Sequence, residues 1–271
     1  MSRVEPLPPR LCAEGLRVAY GSEGDVLRGV SLSVPERGFT VIIGPNACGK
    51  STLLKCLVRM LPLREGRVTL DGRDIRGLRP KEVAKHIGLL PQSPHAPDGI
   101  TAFDLVARGR YPHQSLLRQW STADEQAVWR ALADAHVETL ADRTLDELSG
   151  GQRQRVWIAM ALAQETPILL LDEPTTYLDI AHQIEVLDLA HTLYRQGRTV
   201  VAVLHDLNLA FRYATNLVVM REGLVLAEGA PREVVTSRLI EEAFGLANII
   251  ISDPVSETPL VVPRKDSLRE G

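Results

Sequence analysis

Residues 44–52 read Gly44-Pro45-Asn46-Ala47-Cys48-Gly49-Lys50-Ser51-Thr52, a match to G-x-x-x-x-G-K-[ST]. Phosphate groups carry dense negative charge. Successive backbone N–H groups and the positive end of a helix solvate that charge without bulky side chains. In such a loop Lys50 reaches the β- and γ-phosphates of a nucleoside triphosphate, and the Ser51 hydroxyl ligates Mg²⁺. The pattern by itself says only that a nucleotide is bound. Kinases, GTPases and transport ATPases all share it.

Two further segments could complete the chemistry. Ile168-Leu169-Leu170-Leu171-Asp172-Glu173 is four apolar residues followed by two acids. A buried strand ending in carboxylates places them where ligands sit in parallel α/β sheets, outside the strand C-termini. Asp172 would then hold Mg²⁺, and Glu173 would act as general base on the attacking water. A surface acidic turn after a core strand is the plainer alternative. Leu148-Ser149-Gly150-Gly151-Gln152 precedes a long apolar run. Two glycines at a helix start leave N–H groups open to an anion. One chain does not need two phosphate loops for one nucleotide, so this loop would cap a nucleotide bound by another copy. An ordinary Gly-rich turn would look the same.

Stepping outward, the phosphate loop needs a strand before it and a helix after it. FTVIIG and KSTLLKCLVRML supply them. Residues 11–43 read as short strands punctuated at 21–24 and 35–38. GRVTLDGRDI is a strand and turn. From about 95 to 165 the β signal fades. ITAFDLVARG is helix-like, Ser121/Thr122 with Glu125 read as a capping box for a helix over 123–137, and GQRQRVWIAMALAQE is a third helix. Beyond ILLLDE, a helix over 179–195, the strand TVVAVLH, a helix over 206–213 and the strand NLVVMRE alternate. That order implies a parallel sheet covered on both faces. The expected fold is an α/β core with an N-terminal antiparallel β layer and an inserted helical subdomain.

The composition suits that fold. The chain has 271 residues, 45% of them hydrophobic and 24% charged, with 31 basic and 34 acidic residues giving a net charge of −3. This excludes a disordered chain and argues against a strongly basic nucleic-acid binder. The longest apolar run, residues 156–163, is well short of the roughly 20 residues of a membrane span. The first fifteen residues show no apolar core of a secretory signal. Cys12, Cys48 and Cys56 are too few and scattered for a disulfide framework, which points to a reducing compartment. Cys48 lies next to Lys50 and a helix start, two features that lower a thiol's pKa, so it is expected to be reactive.

The phosphate loop, LSGGQ, LLLDE and a strand-end His205 occur in an order that resembles the ATP-binding subunit of ABC transporters. The resemblance spans residues 11–262, leaving 1–10 and 263–271 as tails, with the helical subdomain at about 95–165. It implies a P-loop NTPase fold with a RecA-like core, ATP and Mg²⁺ as ligands, and ATP hydrolysis coupled to transport. It also implies roles residue by residue. Tyr20 in VAYG stacks on adenine. Gln92 in LLPQ touches the Mg²⁺ and water site. Asp179 in TTYLD crosses a dimer interface. His205 in AVLHD contacts the γ-phosphate. The metal set is then Ser51, Gln92 and Asp172. Residues 44–52 with Tyr20 bind one nucleotide, while Ser149, Gly150, Gly151, Gln152 and Asp179 serve the partner copy's. One departure is visible: the family usually has Gly where Ala47 stands.

ITAFDLVARGRYPHQ, LLDEPTTYLDIAHQIEVL, AVLHDLNLAFRYA and DPVSETPLVVP narrow the resemblance to import ATPases for iron chelates, the ferric-enterobactin type in particular. Haem and cobalamin import ATPases are close alternatives. The resemblance implies a second copy, two membrane permeases, a siderophore-binding protein and a place on the cytoplasmic face of the inner membrane, with no nucleic-acid partner. Residues 93–120 are expected to dock the permease. A soluble ABC ATPase of translation or repair fits less well. There is one cassette here, and Lys50 and Ser149 are only 99 positions apart with no sustained heptads.

Overall fold

A computed structural model describes residues 9–21, 24–114 and 120–264. Most of the expected N-terminal tail, the end of the C-terminal tail and part of the expected permease-docking segment lie outside the described residues. In chain order the elements are β1 (Leu11–Val18), β2 (Leu27–Val34), β3 (Phe39–Ile43), α1 (Lys50–Leu57), β4 (Glu65–Leu70), β5 (Arg73–Asp74), α2 (Pro80–His86), β6 (Ile87–Leu90), α3 (Ala102–Ala107) and α4 (Thr122–Asp134). They continue with α5 (Gly150–Ala163), β7 (Ile168–Asp172), α6 (Ile180–Arg195), β8 (Thr199–Val203), α7 (Leu207–Tyr213), β9 (Asn216–Arg221), β10 (Leu224–Gly229), α8 (Pro231–Val234), α9 (Ser237–Phe244), β11 (Asn248–Ser252) and β12 (Pro259–Pro263). The chain divides into two compact units, one holding residues up to Gly77 and from Val201 onward, the other Leu78–Val200.

In the first unit an antiparallel layer runs in the order β2-β1-β4-β5. Its strands alternate buried and exposed side chains, as expected where one face meets the core. The β1–β2 register shifts between Ala13 and Leu16, where Gly15 adopts positive φ and donates its N–H to Ser31 Oγ. A bulge of this kind bends the strand. The other strands of this unit read differently. Every residue of β3 is buried, and β3 pairs in parallel with β9, with Ile42 opposite Val218. Parallel strands are covered on both faces, which is why FTVII and LVVM are continuous apolar runs. Each such side chain removed from water stabilises the fold by about 1.5–3 kcal/mol. β10 pairs antiparallel with β9, and β11 and β12 form a separate hairpin.

The second unit is mainly helical. β6 and β7 pair in parallel, Ile87 opposite Ile168 through Leu90 opposite Leu171. α3, α4 and α5 pack on one another. α4 begins one residue earlier than expected and ends at Asp134 rather than 137. Its capping box also differs: the reciprocal partner of Ser121 is Asp124, not Glu125. Thr122 is already the first helical residue, so the third position is Asp124. That carboxylate is buried and also receives Nε–H of the buried Arg110 at 3.0 Å, so it ties the cap to the preceding 3₁₀ turn. β8 starts in this unit, where Thr199 donates to the Pro167 carbonyl, and ends in the first, where Leu204 donates to Ile42.

Candidate active site

The phosphate loop follows β3 and runs into α1, the strand-to-helix setting its chemistry requires. Gly49 caps α1 with φ of 105°, a conformation that costs glycine little. A Cβ there would also lie 2.7 Å from Leu27 Cδ2, so the position is closed to other residues on two counts. Lys50 is buried, and its Nζ donates to the carbonyls of Gly44 and Pro45 at 2.8 Å each. An ammonium carries three N–H groups, so one remains for a phosphate oxygen. Tyr20 is half exposed, as a ring offered to a ligand should be, and its hydroxyl lies 3.2 Å from Thr52 Oγ1 on the first turn of α1. The hydroxyl therefore anchors the ring to the loop, a contact the stacking reading did not include. His205 sits exposed at the end of β8, directly before Asp206, the N-cap of α7.

The structure adds one fact about the loop and changes one expectation. Ala47 has φ of 61°, the left-handed region, so the residue that replaces glycine does carry strain. Cys48 is not a poised nucleophile. It is buried, and burial pushes its thiol up from the ordinary value while the charge of Lys50 offsets only part of that. The neighbours visible in sequence lower a thiol's pKa, but the surrounding packing outweighs them.

In the second unit the structure brings together residues far apart in sequence. Gln92 Nε2 donates to Glu173 Oε2 at 2.6 Å, joining the segment after β6 to the end of β7. Thr176 donates its hydroxyl to the same oxygen at 3.2 Å. Glu173 is largely buried and has φ of 55°. A non-glycine residue held there costs of order 1–3 kcal/mol, and such strain gathers at functional sites. Asp172 is buried one residue before it. Ser51 and Asp172, both expected at the metal, are carried by different units.

The segment Leu148–Gln152 begins α5. Ser149 is the N-cap: its Oγ accepts from the Gln152 N–H at 3.3 Å, and Gln152 Oε1 accepts from the Ser149 N–H at 3.1 Å. This reciprocal cap uses the third helical N–H, and the N–H groups of Gly150, exposed, and Gly151, buried, have no partner within the helix. The two glycines have different reasons to be glycine. A Cβ on Gly150 would meet nothing within 4 Å, whereas one on Gly151 would lie 2.5 Å from His182 Cδ2. His182 in turn lies 2.7 Å from Asp179, whose side chain accepts the His182 N–H and caps α6. These bonds, the backbone one first, hold the Asp179 carboxyl below its usual value. Thr176 and His182 are thus the residues that motif reading missed. The spacing of His182 three positions after the helix-capping Asp179 was the available signal.

Among the described residues no group of three His, Cys, Asp or Glu could hold a metal, and no helix is long and apolar enough to cross a membrane.

With this geometry in view, four similarities are decisive. The family model for ABC transporters matches residues 27–176. The ferric enterobactin transport ATP-binding protein FepC of Escherichia coli K12 is 54% identical over 255 residues, 94% of each chain. An inward-facing metal-chelate type ABC transporter aligns with a TM-score of 0.82 at 28% identity, covering 97% of this chain and all of that one. A bacterial ABC transporter cassette solved as a dimer aligns with a TM-score of 0.72 at 30% identity, over 81% of this chain and 98% of that one. Cassettes of this fold bind ATP and are seen as dimers. The family model covers more than half of the sequence and a relative matches nearly all of it, so the chain belongs to the ABC transporter family as an ATP-binding, ATP-hydrolysing subunit.

Proposed function

We propose that this subunit energises import of ferric siderophores through separate membrane permeases. The observation that carries this reading is the 54% identity to a ferric enterobactin transport ATPase along 94% of both chains. The cassette is residues 11–262, with the helical subdomain at about 95–165. Two copies close over two nucleotides. Tyr20 stacks on adenine, residues 44–52 wrap the phosphates of one nucleotide, and Ser149, Gly150, Gly151 and Gln152 cap the same γ-phosphate from the other copy, with Asp179 crossing the interface. Lys50 and His205 contact the γ-phosphate. Glu173, aimed by Gln92 and Thr176, accepts the proton of the attacking water. In-line attack then needs only charge stabilisation and positioning, which the loop N–H groups, Lys50 and His205 provide.

The donors available to Mg²⁺ are the Ser51 hydroxyl, the Asp172 carboxylate and the Gln92 amide oxygen. This is the hard-oxygen set Mg²⁺ prefers, with few protein ligands and the remainder from phosphates and water. When bound, the ion neutralises charge on the β- and γ-oxygens. Residues 93–120 dock the permease on the cytoplasmic side of the inner membrane. Exposed Tyr111 and Trp120 support this, since aromatic side chains are enriched in such contacts. A periplasmic-type binding protein would deliver the cargo to the permeases. Uptake of labelled ferric siderophore, haem and cobalamin in a deletion strain tests the assignment. Loss of siderophore uptake, restored by the native gene but not by Lys50→Ala, is the expected result. Intact siderophore uptake with lost haem or cobalamin uptake would overturn the cargo.

A further inference from the structure

Helices α5 and α6 meet at their starts. A Cβ on Gly151 would lie 2.5 Å from Cδ2 of His182 and 3.0 Å from its Cγ, so the imidazole lies hard against the first turn of α5. One turn further along both helices, Arg155 Nη1 donates to Glu185 Oε2 at 3.1 Å. Contacts made in the same order mean that the two helices run side by side in one direction. Their N-caps, Ser149 and Asp179, therefore lie at the same end. The same imidazole also reaches the second cap. Its Nδ1 lies 2.7 Å from Asp179 Oδ1, the oxygen that already accepts the His182 backbone N–H at 3.0 Å. A carboxylate only accepts, so Nδ1 carries the proton and donates. One backbone N–H is all that an N-cap needs. The ring adds a second bond to the capping oxygen and packs against Gly151, so one side chain touches both elements. Asp179 and Gly150 are exposed beside it.

We propose that His182 is a positioning residue that pins the Asp179 carboxylate against the start of α5, so that both elements meet the second copy of this chain as one preformed rim. The idea rests on the reading of Leu148–Gln152 and Asp179 as the surfaces that serve the partner copy's nucleotide. His182 touches no nucleotide in this proposal and acts only through Asp179 and Gly151. An exposed carboxylate held by one bond keeps rotamer freedom that association must remove. One held twice has already lost it, and the lost freedom no longer weighs against the dimer.

Sedimentation of the full chain in saturating MgATP tests this, with Glu173→Gln as the parent so that the nucleotide is not consumed. The quantity read is the dissociation constant of the ATP-bound dimer. His182→Ala should raise it by about 10- to 100-fold, the cost of immobilising one freed side chain on each of two copies. Two further variants separate the bond from the packing. His182→Asn keeps an N–H donor near the Nδ1 position and should recover most of the dimer. His182→Phe keeps a ring beside Gly151 without the donor and should behave like His182→Ala. Either variant also carries the test should His182→Ala fold poorly. In an Asp179→Ala background, His182→Ala should have no further effect, because residues acting as a unit are not additive. An unchanged dimer constant in His182→Ala and His182→Phe overturns the proposal. So does recovery by Phe but not Asn, the mark of a packing role alone, and so does an equal further loss in the Asp179→Ala background. Monomer alone in the Glu173→Gln parent overturns the underlying reading of the shared rim, and the proposal with it.

Discussion

The phosphate loop and the Leu148–Gln152 segment both offer backbone N–H groups at a helix start, yet they are built in opposite ways. The first is closed on itself. Lys50 is buried against its own loop carbonyls, and Gly49 is hemmed in by Leu27. The second faces outward, with Ser149, Gly150 and Asp179 exposed, Tyr177 fully so, and Ile180 largely so. A cradle that is complete within one chain can hold a ligand alone. A rim of free donors beside exposed apolar residues gains most when another surface covers it. On the proposed function, the difference is that one motif binds by itself and the other waits for a partner.

The largest effect that would sharpen this contrast comes from Glu173→Gln. The amide keeps the shape and can still meet Gln92, but it cannot accept a proton. Hydrolysis should fall by about 10²–10⁴-fold while ATP binding persists. If the outward-facing rim caps a partner's nucleotide, this variant should sediment as a dimer in saturating MgATP. Monomer alone would break the comparison at its centre.

Next come the two glycines of the rim. Gly151→Ala drives a methyl group into His182, an overpacking expected to cost about 1–3 kcal/mol. Gly150→Ala meets open space and should leave thermal stability nearly unchanged. Adding His182→Ala to Gly151→Ala should restore the melting temperature. A failure to restore it would mean that Gly151 is required for something other than the ring beside it.

On the closed side, Tyr20→Ala should weaken ATP binding by about 1–3 kcal/mol, by analogy with base stacking on aromatic side chains. Tyr20→Phe keeps the ring but drops the bond to Thr52, a loss of about 0.5–1.5 kcal/mol. Calorimetric titration with ATP separates the two. Equal losses would assign the whole effect to the hydroxyl. The smallest effect is Ala47→Gly, which relieves a left-handed alanine worth about 1–2 kcal/mol. The gain is diminished by glycine's greater freedom when unfolded, so a slight rise in unfolding temperature with unchanged ATP affinity is expected.

What could be read in advance follows a physical line. The strand-to-helix passage at 39–57 and the continuous apolar strands were legible because burial on two faces leaves an unbroken hydrophobic signature. Side-chain chemistry set by long-range packing was not. Cys48 shows helpful neighbours in sequence, but its burial is a property of the folded core. The ring under Gly151 comes from a residue 31 positions away. The register of the Ser121 cap slipped because Ser-Thr and Asp-Glu pairs allow two frames, and only the Arg110 bond selects one. The hairpin at 248–263 went unread because what holds it lies in Asn208 and Arg212, some fifty and forty residues before its bonding partners.

The reciprocal cap at Ser149 has a consequence for the energetics of assembly. A helix start that satisfies its own third N–H is formed without a nucleotide, so, on the proposed function, no folding of this segment accompanies capture. Association of two copies then loses mainly rigid-body freedom and little conformational entropy. Its heat-capacity change should reflect the apolar area covered and carry no signature of coupled ordering. The encounter rate should be set by diffusion and orientation, with no slow segment to wait for.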